Sequence, residues 1–431
     1  MRQNTPVIGH FYNDRFTSIQ ALYGQFTTSS QVPIALEAAH IYKSLYWIYE
    51  YVNMENAAQK NDTGSSLRSA TTSRRNFLVA GGVTAGATLA GCMGIFDSND
   101  GGATELTYRH RYKRTGIGTG LNDAGVELGT WEEEGLDVSF KTSSGSKAAA
   151  QSVASGKDMF GNAGISTVLG LNEEGADLVV IGQLLDPMGG VITTGEQEIT
   201  TWSDLEGKTV GQYPFGSTGP EAKAAMRKNG VDLSAITFQN VQPGNGERLL
   251  RNGNIDAMIK FVPLSKARLV KAGYSPNVLV TSSALDYLGI SLYTRREVVE
   301  NQPDTVDSFV RGWLKAYQIF ANRIDEVFEI YKPLAAEGFD EEIQREALAE
   351  YYAAQVPDPS MGTEYGKGWT SPEKMEQSIG TFSDAGLIDG DVAAEDMYTN
   401  QFIDDNRELA VETAGTIYER LEDFDIGPNY I

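Results

Sequence analysis

An alternation of short apolar runs with helical patterns, which occurs twice between Glu105 and Thr294, constrains the fold more than any other feature of the sequence. In the first set, helical patterns separate strand-like runs at 106–112, 136–141, 159–162 and 178–185. In the second set, they separate strand-like runs at 209–212, 236–241, 257–261 and 278–281. This order is typical of parallel sheets covered by helices on both faces. The sequence therefore predicts an α/β protein with two similar lobes.

The chain after the last strand-like run, 290–294, is predicted to be helical. Pro303 to Tyr331 carries one apolar stripe at helical spacing, formed by Val306, Phe309, Val310, Trp313, Leu314, Tyr317, Phe320 and Ile324. We expect these aromatic side chains in a core rather than at a ligand. The predicted boundaries are 105–194 with 290–431 for the first lobe, which includes the C-terminal helices, and 195–289 for the second.

The stretch from Thr71 to Cys92 is typical of an export signal. Arg74 and Arg75 precede a short run of apolar and small residues, and this order matches a Tat signal. The run ends in Leu-Ala-Gly-Cys, which resembles a lipobox, so we expect a lipid on Cys92. A short transmembrane anchor or a buried helix is the alternative, but the run is too short and too rich in Gly and Ala to span a bilayer well.

Residues 1–70 precede this signal, although a Tat signal normally lies near the start of its protein. A translation start at Met54 explains this extension most simply, and an additional cytoplasmic domain is the alternative. Residues 93–104 are predicted to be a polar linker between the lipid anchor and the body of the protein.

The composition excludes several classes of function. A formal net charge of −23 opposes binding to nucleic acid, and the scattered acidic residues resemble the surfaces of halophilic archaeal proteins. The single cysteine excludes an internal disulfide, and His110 is the only histidine after it. Cys/His zinc sites are thereby excluded, and no motif for a metal or cofactor is present. An enzymatic activity is therefore the weaker hypothesis.

Candidate binding residues lie in loops that follow the predicted strands, where open α/β sheets bind ligands. A cluster of basic residues, Arg109 to Arg114, spans the end of the first predicted strand and the loop after it. Such a cluster can hold an anion by charge-assisted hydrogen bonds. Within it we favour Tyr112, Lys113, Arg114 and Thr115 over the strand residues. Balancing of neighbouring acidic residues is the alternative role of this cluster.

Hydroxyl-rich turns supply the next candidates, because backbone N–H groups at helix starts attract anions. These turns contain Ser143, Ser144 and Ser146, then Ser166 and Thr167, and then Ser217 and Thr218. Helix capping explains each turn without a ligand. Lys260, at the end of an apolar strand, is the last candidate, and it can instead pair with an acidic neighbour.

Four motifs resemble one family of proteins. They are LGTWEEEGLDV at 128–138, ASGKDMFG at 154–161, DLEGKTVG at 204–211 and LRNGNIDA at 250–257. In this order they look like the solute-binding proteins of ABC importers for nitrate, sulfonates, taurine and thiamine-precursor pyrimidines, over about Glu105 to Phe402. The resemblance implies a type II periplasmic-binding-protein clamshell, an extracytoplasmic location, a permease and an ATPase as partners, and no cofactor. It also implies ligand contacts at the candidate positions named above.

The solute itself remains open at this stage. The Arg-Tyr-Lys-Arg sequence at 111–114 replaces the Trp-x-Pro-like turn of the pyrimidine binders, which favours a small anion such as a sulfonate, taurine or nitrate. The segments 386–388 and 396–402 nevertheless resemble the pyrimidine branch. Related enzymes of pyrimidine synthesis consume a histidine and use a cysteine cluster, which His110 alone does not match. A sensory domain without transport is a further alternative.

Overall fold

Two five-stranded mixed sheets form the centre of the described part of the chain, residues 103–242, 244–356 and 359–424 of a computed structural model. The predicted Tat arginines Arg74 and Arg75, the lipid-attachment residue Cys92 and the alternative start Met54 lie outside the described residues. So does nearly all of the predicted linker, 93–104.

The first sheet has the strand order β2-β1-β3-β10-β4. Its strands are β1 (Thr104–His110), β2 (Leu136–Thr142), β3 (Phe160–Gly164), β4 (Leu178–Leu185) and β10 (Ile290–Arg295). β2 and β3 pair in parallel with β1, whereas β10 is antiparallel to both β3 and β4. The expectation of an all-parallel sheet is therefore wrong. β10 returns from the second lobe at the edge where β3 and β4 end, so it must run in the opposite direction.

The second sheet repeats this arrangement in the order β7-β6-β8-β5-β9. Its strands are β5 (Gly189–Ile192), β6 (Thr209–Gln212), β7 (Thr237–Asn240), β8 (Ala257–Phe261) and β9 (Val278–Val280). β5 is antiparallel to β8 and β9. The sequence pattern missed β5, which is short and begins with two glycines, residues that weaken a strand signal. The first passage between the sheets is therefore 186–188, before the predicted boundary at 194, and the second is 281–289.

Helices cover both sheets. The first lobe contains α1 (Gly120–Glu127), α2 (Ser146–Ala154) and α3 (Ile165–Glu173), and the second contains α4 (Thr218–Lys228), α5 (Gly246–Arg251) and α6 (Val262–Lys271). The C-terminal region forms α7 (Arg296–Asn301), α8 (Pro303–Asn322), α9 (Ile324–Tyr331), α10 (Glu341–Glu346), α11 (Leu348–Gln355), α12 (Pro372–Asp384), α13 (Gln401–Asp405) and α14 (Arg407–Glu422). Among the described residues, no helix combines the length and the apolar character that crossing a membrane requires.

The predicted apolar stripe of α8 lies in the main core of the first lobe. All of its members from Val306 to Phe320 are at most 2% exposed. The Phe309 ring stacks on Phe160 of the sheet, with centroids 3.8 Å apart, and also on Trp131. This packing confirms that these aromatic residues are core residues, because such rings contribute most of the buried apolar area of a lobe.

The two lobes and the C-terminal helices pack directly on one another. A second buried cluster combines Ala163 and Val168 of the first lobe with Ala222 of the second and with Phe382 of α12. α12 contacts both α3 and α4, and α10 contacts α6. The C-terminal region, which the sequence pattern placed with the first lobe, therefore contacts both lobes.

A buried lysine fixes the end of β4 just before the first passage between the sheets. Lys367 is fully buried, and its Nζ donates to the backbone carbonyls of Gln183, Leu184 and Gln355. The bond to Gln355 is 2.9 Å long, and Nζ also lies 4.6 Å from the centroid of the Tyr317 ring. These bonds join β4 to the end of α11, and burial lowers the pKa of Lys367 to about 7.

We predict that Lys367 makes stability depend on pH. Between pH 7 and 10.5 the folded state releases this proton while the unfolded chain keeps it, so unfolding takes up a proton. The free energy of unfolding therefore rises with pH in this window, by up to about 1.4 kcal/mol per unit from this group. Chemical denaturation at several pH values should show that Lys367→Met loses this contribution, while the exposed-residue control Lys157→Met keeps it. Parallel pH profiles for wild type and Lys367→Met would contradict the prediction.

Candidate functional site

The carboxyl ends of the parallel strands of both sheets meet along one interlobe cleft. The first lobe contributes Arg111, Tyr112 and Ser166 to the residues that meet there, and the second lobe contributes Ser217 and Glu221. Both passages between the sheets also lie at this edge, because β4 and β9 end there and β5 and β10 begin there. The cleft is therefore the place where ligands of open α/β sheets bind.

The lobes touch each other across this cleft at glycines. A Cβ atom added at Gly145 would overlap the carbonyl oxygen of Phe215, and one at Gly216 would overlap the hydroxyl of Tyr112. A Cβ atom at Gly164 would overlap the hydroxyl of Ser217. These contacts leave no room for side chains, so the described structure is a closed arrangement of the two lobes.

Arg111 is a buried cation at the first-lobe side of the cleft. The residue is 9% exposed and follows β1 directly. Its Nη1 donates to Oδ1 of Asn162 in β3 over 3.1 Å, and no acidic residue among those described forms an ion pair with it. Burial lowers the pKa of Arg111, but a guanidinium stays charged in proteins. No carboxylate is in direct contact with this guanidinium, although Glu221 interacts with it electrostatically, so the position is suited to an anion.

Tyrosine side chains surround this guanidinium. The Arg111 Cζ lies 5.9 Å from the centroid of the Tyr112 ring, and Tyr108 and Tyr317 are also close to it. Burial raises the pKa of Tyr351 to about 12, although Arg111 and Arg268 lower it. Tyr351 therefore keeps its phenol proton at neutral pH and adds no negative charge beside Arg111.

The predicted basic loop divides between the cleft and the outer surface. Arg114 forms a bidentate ion pair with Asp123 of α1, with N–O distances from 2.7 to 3.1 Å, and lies 5.3 Å from the Phe140 ring centroid. Lys113 and Thr115 are exposed and bond to each other through their backbone, 2.7 Å from N to O. Asp123 neutralises the charge of Arg114. Arg111 is therefore a better candidate than Arg114 for the cation that binds an anion.

The hydroxyls of two predicted turns bond to a carboxylate of the chain itself. Glu221, in the first turn of α4, is 6% exposed and accepts a 2.9 Å hydrogen bond from Ser166 Oγ of α3. Ser217 and Tyr287 also bond to this carboxylate. Burial raises the pKa of Glu221, whereas these hydroxyls and Arg111 lower it. Glu221 thus links the two lobes. It accepts hydrogen bonds from hydroxyl groups that we predicted to bind a ligand.

The remaining predicted hydroxyls lie around this link. Ser146 is fully buried, and its Oγ accepts from the Gly164 N–H over 3.4 Å. Ser143 and Thr167 are half-buried, and Ser144 is exposed. A Cβ atom added at Gly189 would lie 2.6 Å from the Thr218 methyl group, so Thr218 packs against the start of β5. Ser146 and Thr218 therefore shape the cleft by packing.

Lys260 takes the alternative role that the sequence left open for it. Its ammonium pairs with Glu247 of α5, whose Oε1 also accepts from Ser265 and, over 3.3 Å, from Arg268. Burial alone would raise the pKa of Glu247, but Lys260 and Arg268 lower it to about 2. Lys260 also lies 5.6 Å from the centroid of the Tyr213 ring. Two cations therefore share one carboxylate at this position.

The sequence patterns did not identify two residues that the structure places at the cleft. Arg111 belonged to the recognised basic cluster, but only its burial without an acidic partner distinguishes it from Arg109, which pairs with Asp158 at 2.8 Å. Glu221 follows Pro220 at a helix start, where an acidic residue is expected for capping alone. Within the described ranges, no group of three or more His, Cys, Asp or Glu residues is placed to hold a metal ion.

Comparisons with known proteins identify the fold. Residues 124–326, somewhat less than half of the chain, match the family model described as NMT1/THI5 like. The periplasmic aliphatic sulphonate binding protein of Escherichia coli is similar in structure, with a TM-score of 0.54, 16% identity, and coverage of 68% of this chain and 91% of that one. No curated protein matches the sequence.

Two further solved structures are similar over nearly their whole length. A putative periplasmic sulfonate-binding protein of Methylobacillus flagellatus KT has a TM-score of 0.53 and 17% identity. The match covers 72% of this chain and 96% of that protein. The periplasmic nitrate-binding protein of Synechocystis PCC 6803 has a TM-score of 0.51 and 10% identity, with coverage of 76% and 92%. The chain therefore has the two-lobe fold of periplasmic binding proteins, with an NMT1/THI5-like segment at 124–326.

We predict that Arg114→Gln lowers stability but leaves solute affinity unchanged. Asp123, whose side chain is 4% exposed, would lose its charged partner, at a cost of about 1–3 kcal/mol in the free energy of unfolding. Denaturation and calorimetric titration measure the two effects separately. The double variant Arg114→Gln with Asp123→Asn should cost less than the sum of the single changes. A loss of affinity at unchanged stability would place Arg114 in the binding site instead.

Proposed function

We propose that the protein is the extracytoplasmic solute-binding component of an ABC importer and binds a small anion such as a sulfonate, taurine or nitrate. The observation that carries this proposal is Arg111, a buried guanidinium at the cleft edge with no acidic partner within the described residues. A sulfonate, carboxylate or nitrate group accepts hydrogen bonds from the paired N–H donors of a guanidinium and supplies a negative charge in direct contact with it. The sulfonate- and nitrate-binding proteins of similar fold support this choice.

Binding would act by closure of the two lobes. The passages between the sheets lie side by side, since Thr281 Oγ1 of the second passage donates over 2.9 Å to the carbonyl of Gly189, the residue that follows the first passage. Such segments can absorb a hinge rotation while the sheets move as rigid bodies. A solute that contacts both lobes favours the closed state by its differential contacts. The closed protein would then present the solute to a membrane permease driven by an ATPase.

The N-terminal segment supplies the proposed location. Arg74 and Arg75 direct Tat export, and a lipid on Cys92 holds the protein at the outer face of the membrane. Two acyl chains are needed for stable attachment, because one holds a protein only marginally. The net charge of −23 suits a surface that stays hydrated in concentrated salt, as in a halophile.

A receptor for a thiamine-precursor pyrimidine is the second candidate. The tyrosines around Arg111 favour it, because aromatic side chains can stack on a flat heterocycle. An enzyme of pyrimidine synthesis on the same fold has less support. Burial lowers the pKa of His110 to about 3, and its Nδ1 is engaged with the Tyr112 backbone. This histidine is therefore a poor proton donor or acceptor near neutral pH.

We predict that Arg111→Gln weakens solute binding by at least about 30-fold, equivalent to about 2 kcal/mol, because a charge-assisted pair is lost. Thermal-shift screening with taurine, alkanesulfonates, nitrate and thiamine precursors would identify a solute, and calorimetric titration would give its affinity. The control Arg323→Gln removes an exposed arginine paired with Glu326 and should bind as wild type does. Unchanged affinity in Arg111→Gln, or no stabilisation by any of these solutes, would contradict the proposed function.

We also predict that Gly145→Ala hinders closure. The added methyl group would meet the backbone carbonyl of Phe215, which cannot rotate away as a flexible side chain can. Solute affinity should fall, and small-angle scattering with saturating solute should give a larger radius of gyration than for wild type. Gly380→Ala, where a Cβ atom meets nothing within 4 Å, is the matched control and should close normally. Equal radii for wild type and Gly145→Ala with solute would show that this contact does not limit closure.

A further inference from the structure

Glu221 is a second buried charge at the cleft, of opposite sign to Arg111. Its carboxylate accepts hydrogen bonds from hydroxyl groups, and no Lys, Arg or His in the described residues forms an ion pair with it. Hydroxyl donors stabilise a carboxylate only in part, because they carry no full positive charge. The cleft thus contains a buried cation and a buried anion, neither of which has a charged partner in direct contact.

The two charges belong to opposite lobes. Arg111 follows β1 of the first lobe, whereas Glu221 lies in the first turn of α4 in the second. They are near enough to interact electrostatically, and Tyr112 interacts with both. A solute with separate negative and positive groups would therefore place one group on each lobe. A simple anion would satisfy the first lobe only.

We propose, on the basis of the solute-binding function above, that the preferred solute is a small zwitterion whose anionic group binds Arg111 and whose ammonium group binds Glu221. Glu221 is then the residue that determines specificity between amino-substituted and plain anions. An ammonium group would donate to this carboxylate the charge-assisted hydrogen bonds that it now lacks, and these bonds would cross the lobe boundary. Binding of both charged groups couples recognition to closure, because each charge is held by a different lobe.

The test compares two pairs of ligands that differ only by a methyl group in place of ammonium. The pairs are 2-aminoethanesulfonate with 1-propanesulfonate, and 3-aminopropanoate with butanoate. Calorimetric titration of the full chain, at low and high ionic strength, gives each affinity. We expect the amino member of at least one pair to bind wild type at least about tenfold more tightly, and Glu221→Gln to abolish that ratio while Glu300→Gln, an exposed control, preserves it.

The outcomes separate this inference from the function on which it rests. Equal binding of the two members in both pairs by wild type overturns the zwitterion inference and leaves an anion receptor in place; this comparison needs no variant and is independent of whether Glu221→Gln folds. A preference for the amino member that persists in folded Glu221→Gln overturns the role of Glu221. If none of the four ligands binds, the zwitterion inference is overturned. If nitrate and the other screened solutes do not bind either, the proposed function is overturned as well.

Discussion

The cleft depends on a guanidinium buried without a carboxylate beside it. Most cationic side chains among the described residues have an acidic partner close by, as Arg109, Arg114 and Lys260 do. Arg111 instead bonds to the neutral Asn162, which in turn donates to the Tyr108 hydroxyl over 2.6 Å. Neutral partners orient the guanidinium without cancelling its charge. The position therefore keeps an attraction for anions that the overall charge of −23 would otherwise oppose.

Closure of the lobes depends on small residues at their contacts. Gly145 and Gly164 of the first lobe and Gly216 of the second allow backbones and hydroxyls to approach where any side chain would collide. The Ser166 to Glu221 hydrogen bond then joins α3 to α4, and α12 packs on both. Polar contacts at the cleft and apolar contacts behind it thus stabilise the same closed arrangement.

Much of the fold could be predicted from the sequence, because alternating apolar runs and helical stripes record local burial. Strands β4, β6 and β8 have the predicted bounds, and the stripe of α8 lies in the core as expected. Strand β10 was predicted as a strand at 290–294, but its antiparallel direction was not, since that direction follows from the passages between the lobes. The short strand β5 was not predicted. Within the site, Arg114 is neutralised by Asp123, whereas Arg111 has only the neutral Asn162 as a hydrogen-bond partner. This difference could not be predicted, because ion pairing between residues that are distant in the sequence leaves no periodic pattern.

The most direct measurement is the position of a heavy-atom-labelled anion in crystals. Crystals grown with 2-bromoethanesulfonate would give an anomalous bromine peak, and the density beside it would place the sulfonate. If the cleft binds anions as we propose, the peak lies between the lobes with the sulfonate oxygens at hydrogen-bonding distance from Arg111. A sulfonate bound instead on the outer surface beside Arg114 and Lys141, with Arg111 free of it, would contradict this assignment.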